Sequence, residues 1–208
     1  MSKFSIIIAT YNRAYILPRA LDSLIQQSFK GWELWIVDDG STDNTQAVVE
    51  PYLNLGLAIS YIKQENQGVA KARNKALAFV SGEYVTFLDS DDWYEPNHLQ
   101  SRNNLLTENP KVDLLHGGFK VLGDPYVPDK DNLSEKIHLS ECFVGATMFV
   151  RKEVIQNLNG FKKLPLGADA EFFGRAIKAG VQIMKTENPT YIYDRTGTES
   201  ITRSFRRQ

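Results

Sequence analysis

One cysteine, Cys142, stands among 208 residues, so the chain closes no internal disulfide and builds no thiolate metal cage. A reducing compartment, the cytoplasm, is the matching expectation. Long hydrophobic runs are missing as well: Phe4 to Ala9 is representative, far short of the ~20 residues that cross a bilayer. The amino terminus lacks the charged-then-apolar form of a secretion signal, so the chain is expected to be neither integral to a membrane nor secreted. Neither sign of charge dominates, with 24 Lys plus Arg against 25 Asp plus Glu and a formal net charge of -1. That balance removes the basic stripe of a nucleic-acid binder. Several catalytic signatures are absent too: GxGxxG after the first strand, GxxxxGK[ST], HExxH, GxSxG and CxxC. Dinucleotide oxidoreductases, P-loop NTPases, zincins and serine hydrolases lose support accordingly. The triplet Asn132-Leu133-Ser134 matches a glycosylation sequon, which carries no weight without secretion.

What is present is an alternation of apolar strands and amphipathic helices in a chain of one domain, large enough for a full core. Phe4 to Ala9, Trp32 to Val37, Ile59 to Lys63 and Glu83 to Leu88 read as strands. Between them Tyr15 to Gln27, Asp43 to Leu53 (capped by Ser41 or Asp43) and Val69 to Val80 read as helices. The order βαβαβαβ predicts an α/β fold with right-handed crossovers and a twisted, mostly parallel central sheet flanked by helices. The second half is less regular. Helices are expected over Pro96 to Thr107, Lys152 to Leu158 and Asp169 to Ala179, and strands over Val112 to Val121, Phe143 to Val150 and Val181 to Lys185. The Pro- and Asp-rich run from Gly123 to Ser134 reads as a long mobile loop. Arg203, Arg206 and Arg207 of the tail read as a solvated end, with contact to an anionic membrane as the alternative.

In open α/β sheets, ligands bind at the carboxyl ends of the strands. Three strand ends here are polar: Thr10-Tyr11-Asn12-Arg13, Asp38 to Asp43, and Asp89-Ser90-Asp91-Asp92. Clustered carboxylates repel one another, and proton uptake, a cation or a cationic partner relieves them. Asp89, Ser90 and Asp91 suit a hard cation such as Mg²⁺ or Mn²⁺, which prefers carboxylate oxygen and keeps positions open for a phosphate; a solvated turn is the plain alternative. Arg73 follows the glycine turn Asn66-Gln67-Gly68 by one helical turn, within reach of a diphosphate, although an arginine there also suits the surface.

Ser5 to Arg13, Ile36 to Asp43, Asn66-Gln67-Gly68 with Ala72-Arg73-Asn74, and Phe87 to Asp92 together resemble family 2 glycosyltransferases of the GT-A fold. The resemblance is tight over Lys3 to Tyr94 and looser to about Ser204, which divides the single domain into a nucleotide-sugar-binding half (1–95) and an acceptor-binding and catalytic half (96–208). It implies transfer of a sugar, with inversion, from a nucleoside-diphosphate sugar, UDP-sugar favoured, to a hydroxyl of a glycan or lipid-linked acceptor. The setting it implies is synthesis of a cell-surface polysaccharide or related glycan, at the inner face of the membrane. By motif position, Thr10 and Tyr11 line the nucleoside pocket, Asp39 accepts a hydrogen bond from the base, and Arg73 sits near the diphosphate. Arg13, Asp38 and Ser90 join the nucleotide-sugar contacts, Asp91 holds Mn²⁺ or Mg²⁺, and Asp89 reaches the ribose or the metal. The resemblance makes Asp169 the base that deprotonates the acceptor. On the residues alone, Asp169 suits a helix N-cap and Glu171 pairs with Arg175 at i,i+4.

Two positions depart from the family pattern. Ala168 stands where relatives carry Glu, and Thr196 stands near the place of a histidine that helps hold metal or diphosphate, for which Arg195, Thr196 or Arg203 are the substitutes at hand. His98, His116 and His138 do not occupy that place and read as structural or exposed. Trp93, Tyr94, Phe172 and Phe173 are candidates for stacking on sugar faces, with core packing as the default for the phenylalanines. These departures motivate a rival reading, a catalytically reduced nucleotide-sugar-binding module. A nucleotidyltransferase on a related fold, releasing pyrophosphate, is a third.

Overall fold

The computed structural model describes residues 2–129, 132 and 134–197. The tail arginines and Leu133 of the sequon lie outside the described residues. Strand β1 (Phe4–Thr10) is the centre of the first half. Its side chains alternate across the sheet with the period of two that a pleated strand imposes. Phe4, Ile6 and Ile8 join one core with Leu17, Ala20, Leu21 and Leu24 of α1 (Leu17–Ile25), Val49 of α2 (Thr45–Leu53) and Leu99 and Leu106 of α4 (His98–Glu108). Ile7 faces a second core with Ala70, Ala72 and Ala76 of α3 (Val69–Leu77), Ile155 of α5 (Lys152–Asn157) and Phe172 and Ala176 of α6 (Ala168–Lys178). Full burial of each large apolar side chain contributes about 1.5–3 kcal/mol, so a strand buried on both faces is strongly held.

Strands β2 (Trp32–Asp38), β3 (Ile59–Lys63) and β4 (Tyr84–Phe87) run parallel to β1 in the order β3-β2-β1-β4, as the alternation predicts. Helix α2 starts later than expected: its N-cap is Asn44 rather than Ser41 or Asp43, although Asp43 still accepts the Thr45 backbone N–H at 3.0 Å. Beyond β4 the sheet continues with β9 (Phe149–Arg151), β6 (Leu114–Gly123), β10 (Ile183–Arg195) and the two-residue β5 (Trp93–Tyr94). β9 is antiparallel to both β4 and β6, and β5 is antiparallel to β10, so the sheet is mostly but not wholly parallel.

Three expectations for this half need correction. The strand expected over Phe143 to Val150 is a 3-10 turn at Gly145–Thr147 followed by the short β9, because the Thr147 hydroxyl donates to Val144 O (2.7 Å) and accepts from Gly117 N (3.0 Å) in place of ladder bonds. The expected loop from Gly123 to Ser134 contains β7 (Tyr126–Pro128), paired with β8 (Lys136–His138) over a small cluster of Val127, Leu139 and Val144. The strand expected over Val181 to Lys185 runs on through Asp194 and Arg195.

That long β10 keeps register with β6 only by a bulge between Thr186 and Tyr191, which contains Pro189. Arg102 of α4 fills it. Its Nη2 lies 3.2, 3.1 and 3.1 Å from the carbonyls of Gly117, Gly118 and Asn188, and the side chain is fully buried. Gly118 has φ +69, and a Cβ there would collide with the Asn188 carbonyl. Arg102→Ala leaves three carbonyls without this donor and is expected to destabilise the fold by about 2–3 kcal/mol. Urea unfolding measures it: the midpoint falls at unchanged slope, and a shift equivalent to under about 0.5 kcal/mol would contradict this role.

Candidate active site

The carboxyl ends of β1, β2 and β4 open on a cleft of about 470 Å³. Two of its loops are locked to each other. Asn12, at φ +52, donates its backbone N–H to the Ser41 hydroxyl (2.9 Å) and accepts the Thr42 N–H on its side chain (2.8 Å). Asparagine tolerates that left-handed backbone, and its short amide ties the strand-one loop to the strand-two loop. The outcome is that Thr10, Tyr11, Arg13 and Asp39 line the same cleft.

The neighbouring acids Asp38 and Asp39 have separate partners. Asp38 is fully buried; its carboxylate accepts from Ser41 N (2.7 Å) and from the Tyr61 hydroxyl (2.5 Å), and it does not line the cleft. The expected nucleotide-sugar contact from Asp38 therefore gives way to a loop-bracing position. Asp39 accepts from Gln64 Nε2 (2.7 Å), Gln67 N (2.9 Å) and Gly68 N (2.7 Å). Gly68, at φ +92, turns the chain so that its N–H meets Asp39 just before α3 begins. Three protein donors leave a carboxylate, with about four acceptor positions, capacity for one more donor.

Arg73 is not a surface residue. It is 5% exposed, packed over the rings of Phe87 (4.8 Å) and Phe161 (5.7 Å). Its Nη2 donates to Asp89 (3.0 Å) and its Nη1 to Asp169 (2.5 Å), 96 residues away in sequence. Burial opposes the charge, yet Asp169 and Asp89 outweigh it and hold the guanidinium above its ordinary pKa. Asp169 therefore faces the cleft from the first turn of α6, where Gly167 is the N-cap; the capping reading of Asp169 does not hold. Glu171 and Arg175 do form their i,i+4 pair, at 2.9 Å.

Asp89, Ser90 and Asp91 all line the cleft. Burial, reinforced by the charge of Asp89 and opposed by Arg13 at 3.9 Å, pushes Asp91 up to about 6. Burial raises Asp89 as well, with the Asp169 charge adding to it and Arg73 opposing. Crowded oxygen ligands short of positive charge fit a hard divalent cation held by one or two carboxylates, with phosphate and water completing the shell. Among the described residues no group of three His, Cys, Asp or Glu side chains forms a closed metal site.

Behind this loop, Asp92 is buried and accepts from the Tyr191 hydroxyl (2.5 Å) and Asp194 N (2.8 Å). Burial and the charges of Asp89 and Asp91 push it well above the carboxylate range. Arg19 of α1, for which the sequence carries no local signal, braces the same loop: it pairs with Asp194 (2.7 Å), lies over Trp93 (4.0 Å) and donates to the Asp91 carbonyl. The cleft wall from Leu164 to Gly167 also went unread; the clustered Pro165 and Gly167 were its one signal.

Of the replacements for the family histidine, Thr196 and Arg195 lie among the described residues. Thr196 is exposed and hydrogen-bonded to Asp194 (2.7 Å). Arg195 reaches the cleft wall, but its guanidinium donates to the Asp124 (2.7 Å) and Tyr126 (3.2 Å) carbonyls. Arg203 lies outside the described residues. None of the four aromatic candidates lines the cleft: Tyr94 stacks on His98 (4.0 Å) in the core, Phe172 is fully buried, Trp93 carries Arg19, and Phe173 stacks on Phe143 (4.0 Å). Burial lowers His98 well below the ordinary imidazole range, in keeping with a structural histidine.

The chain is similar to several known glycosyltransferases. Glycosyltransferase GlyA of Streptococcus pneumoniae is 36% identical over 136 residues, 60% of this chain and 19% of that protein. WfgD of Escherichia coli, a UDP-Glc:alpha-D-GlcNAc-diphosphoundecaprenol beta-1,3-glucosyltransferase, is 28% identical over 74% of this chain and 61% of its own length. The structure of Staphylococcus aureus TarS in complex with UDP-GlcNAc superimposes with a TM-score of 0.80 at 27% identity, over 96% of this chain and 60% of that one. The chain thus spans less than two thirds of each of these relatives, and it shares their GT-A fold. The model of glycosyl transferase family 2 matches residues 5–161, and the chain belongs to that family.

Proposed function

We propose that this cleft binds a nucleoside-diphosphate sugar, UDP-sugar favoured, and transfers the sugar with inversion to an acceptor hydroxyl of a glycan or lipid-linked glycan, in cell-surface glycan synthesis at the cytoplasmic face of the membrane. The observation that carries the reading is Arg73 bridging Asp89 and Asp169 inside one cleft, which places a donor-side acid and a candidate base on opposite sides of one cation. WfgD and TarS, by their names, use or bind UDP-sugars, which supports the donor class. No helix of the described residues is long and apolar enough to cross a membrane, and the reading needs none.

In this mechanism Thr10 and Tyr11 border the nucleoside, and the spare acceptor position of Asp39 takes an N–H of the base. Arg73, Arg13 and Ser90 orient the diphosphate; a planar guanidinium held by two carboxylates is already in place and loses little freedom on binding. Asp91, with Asp89, would hold Mn²⁺ or Mg²⁺, which when bound supplies Lewis-acid neutralisation of the diphosphate leaving group. Asp169 accepts the proton of the acceptor hydroxyl as its oxygen attacks the anomeric carbon. The bond from that carbon to the phosphate oxygen breaks, and the nucleoside diphosphate departs with the electron pair. Attack from the face opposite the leaving group inverts the configuration.

A second reading, a binding module that no longer turns over, is favoured by Ala168 at the cleft and by Thr196 being tied to Asp194. The two readings separate in two variants. Asp91→Ala is expected to remove the Mn²⁺-dependent part of UDP binding and to lower UDP release from a UDP-sugar at least about 100-fold; turnover at full rate would refute the metal assignment. For Asp169→Asn, transfer falls by about 10²–10⁴-fold, the share a general base supplies, with UDP affinity kept within about twofold. Calorimetry and a UDP-release assay report both. A wild-type chain that binds UDP with Mn²⁺ and transfers to no acceptor supports the module instead.

A further inference from the structure

Asp169 is clamped from two sides, and only one of them is a charge. Opposite Arg73, the carboxyl lies against Gly145, the first residue of the 3-10 turn between β8 and β9. A Cβ built on Gly145 would fall inside 3.0 Å of Cγ, Oδ2 and Cβ of Asp169, closer than real Cβ atoms approach. Gly145 has no left-handed backbone that would itself demand glycine, so what the position requires is space. The turn cannot retreat to make it. Thr147 ties the turn to Val144 O and Gly117 N, while Ala146 and Met148 on either side of it are 2% and 0% exposed. Asp169 cannot yield toward Arg73 either, since that ion pair is already at 2.5 Å and the guanidinium is walled by Phe87 and Phe161.

We propose that Gly145 is a positioning residue for the transfer reaction: its missing side chain is the recess that seats the Asp169 carboxylate at the acceptor side of the cleft. This rests on the reading of Asp169 as the base. A methyl group at 145 displaces the first turn of α6 by about an ångström, the scale of misplacement that costs about 100-fold in rate. The donor side, carried by Asp39, Asp89 and Asp91 on other elements, keeps its place, because Arg73 stays held by Asp89 and by the rings of Phe87 and Phe161.

The test is Gly145→Ala, assayed for UDP release to acceptor and for UDP binding with Mn²⁺. The expected result is kcat lowered about 100-fold with donor KM and UDP affinity within about twofold. Because Gly145 acts through Asp169, Gly145→Ala/Asp169→Asn is expected to be no slower than Asp169→Asn alone. Wild-type kcat in Gly145→Ala, or multiplying losses in the double variant, overturns the role of Gly145 while leaving Asp169 intact. Full transfer by Asp169→Asn overturns the base reading, and the positioning role with it. If Gly145→Ala does not fold, the exchange Gly145→Ala/Asp169→Gly, compared with Asp169→Gly alone, decides: equal melting temperatures show that the collision is with Asp169, and a further fall in the double variant overturns the proposal.

Discussion

A guanidinium held out of water between two carboxylates organises the active half of this molecule. Arg73 reaches from α3 to Asp89 at the end of β4 and to Asp169 at the start of α6, and its own flat faces rest on Phe87 and Phe161. Burial of a charge is costly, and the buried Arg73 guanidinium is compensated by these two carboxylates. The three acids and bases therefore have to be placed together, which forces the first half of the chain and its late helix into one site. At that site α6 begins with a left-handed Gly167, and the 3-10 turn at Gly145 runs close to Asp169.

The site is built in two layers. Asp38 with Ser41 and Tyr61, Asn12 with Ser41 and Thr42, and Asp92 with Tyr191 and Asp194 hold the strand-end loops by hydrogen bonds. The groups that face the cleft, Asp39, Arg73, Asp89, Asp91 and Asp169, are held by these loops and by one another. Preorganisation of this kind is what a phosphate-bearing donor needs, since its charges are met by dipoles and cations already in position.

The first half of the fold was legible in the sequence because its strands are buried on both faces and read as continuous β-branched runs, such as Phe4 to Ala9, punctuated by polar loops. The strand-end rule then pointed to the polar segments 10–13, 38–43 and 89–92 with no knowledge of packing, and residues of all three line the cleft. The second half obscures itself. β9 is three residues long and antiparallel, and β10 is interrupted by a bulge whose carbonyls are satisfied by Arg102 from another element. Periodicity carries no trace of either. Asp169 was reachable only through resemblance, because its partner is 96 residues away. Arg19 was missed for the same reason, its contact with the Asp91 carbonyl spanning 72 residues. Asp38 and Asp39, two adjacent acids after a strand, look alike in sequence, whereas the pleat turns one into the core and the other toward the cleft.

Membership in glycosyltransferase family 2 gives the chemistry its class, and the proposed reading assigns that class to particular side chains of the cleft. On that reading its donor side is crowded with carboxylates, and its nucleoside side offers one open acceptor on Asp39. The most direct test is calorimetry of the unmodified chain with UDP, GDP and CDP, each with and without Mn²⁺. The account predicts binding of UDP that strengthens at least about tenfold with Mn²⁺ and weaker binding of the other two. Failure of all three nucleotides to bind, with or without the metal, would contradict it.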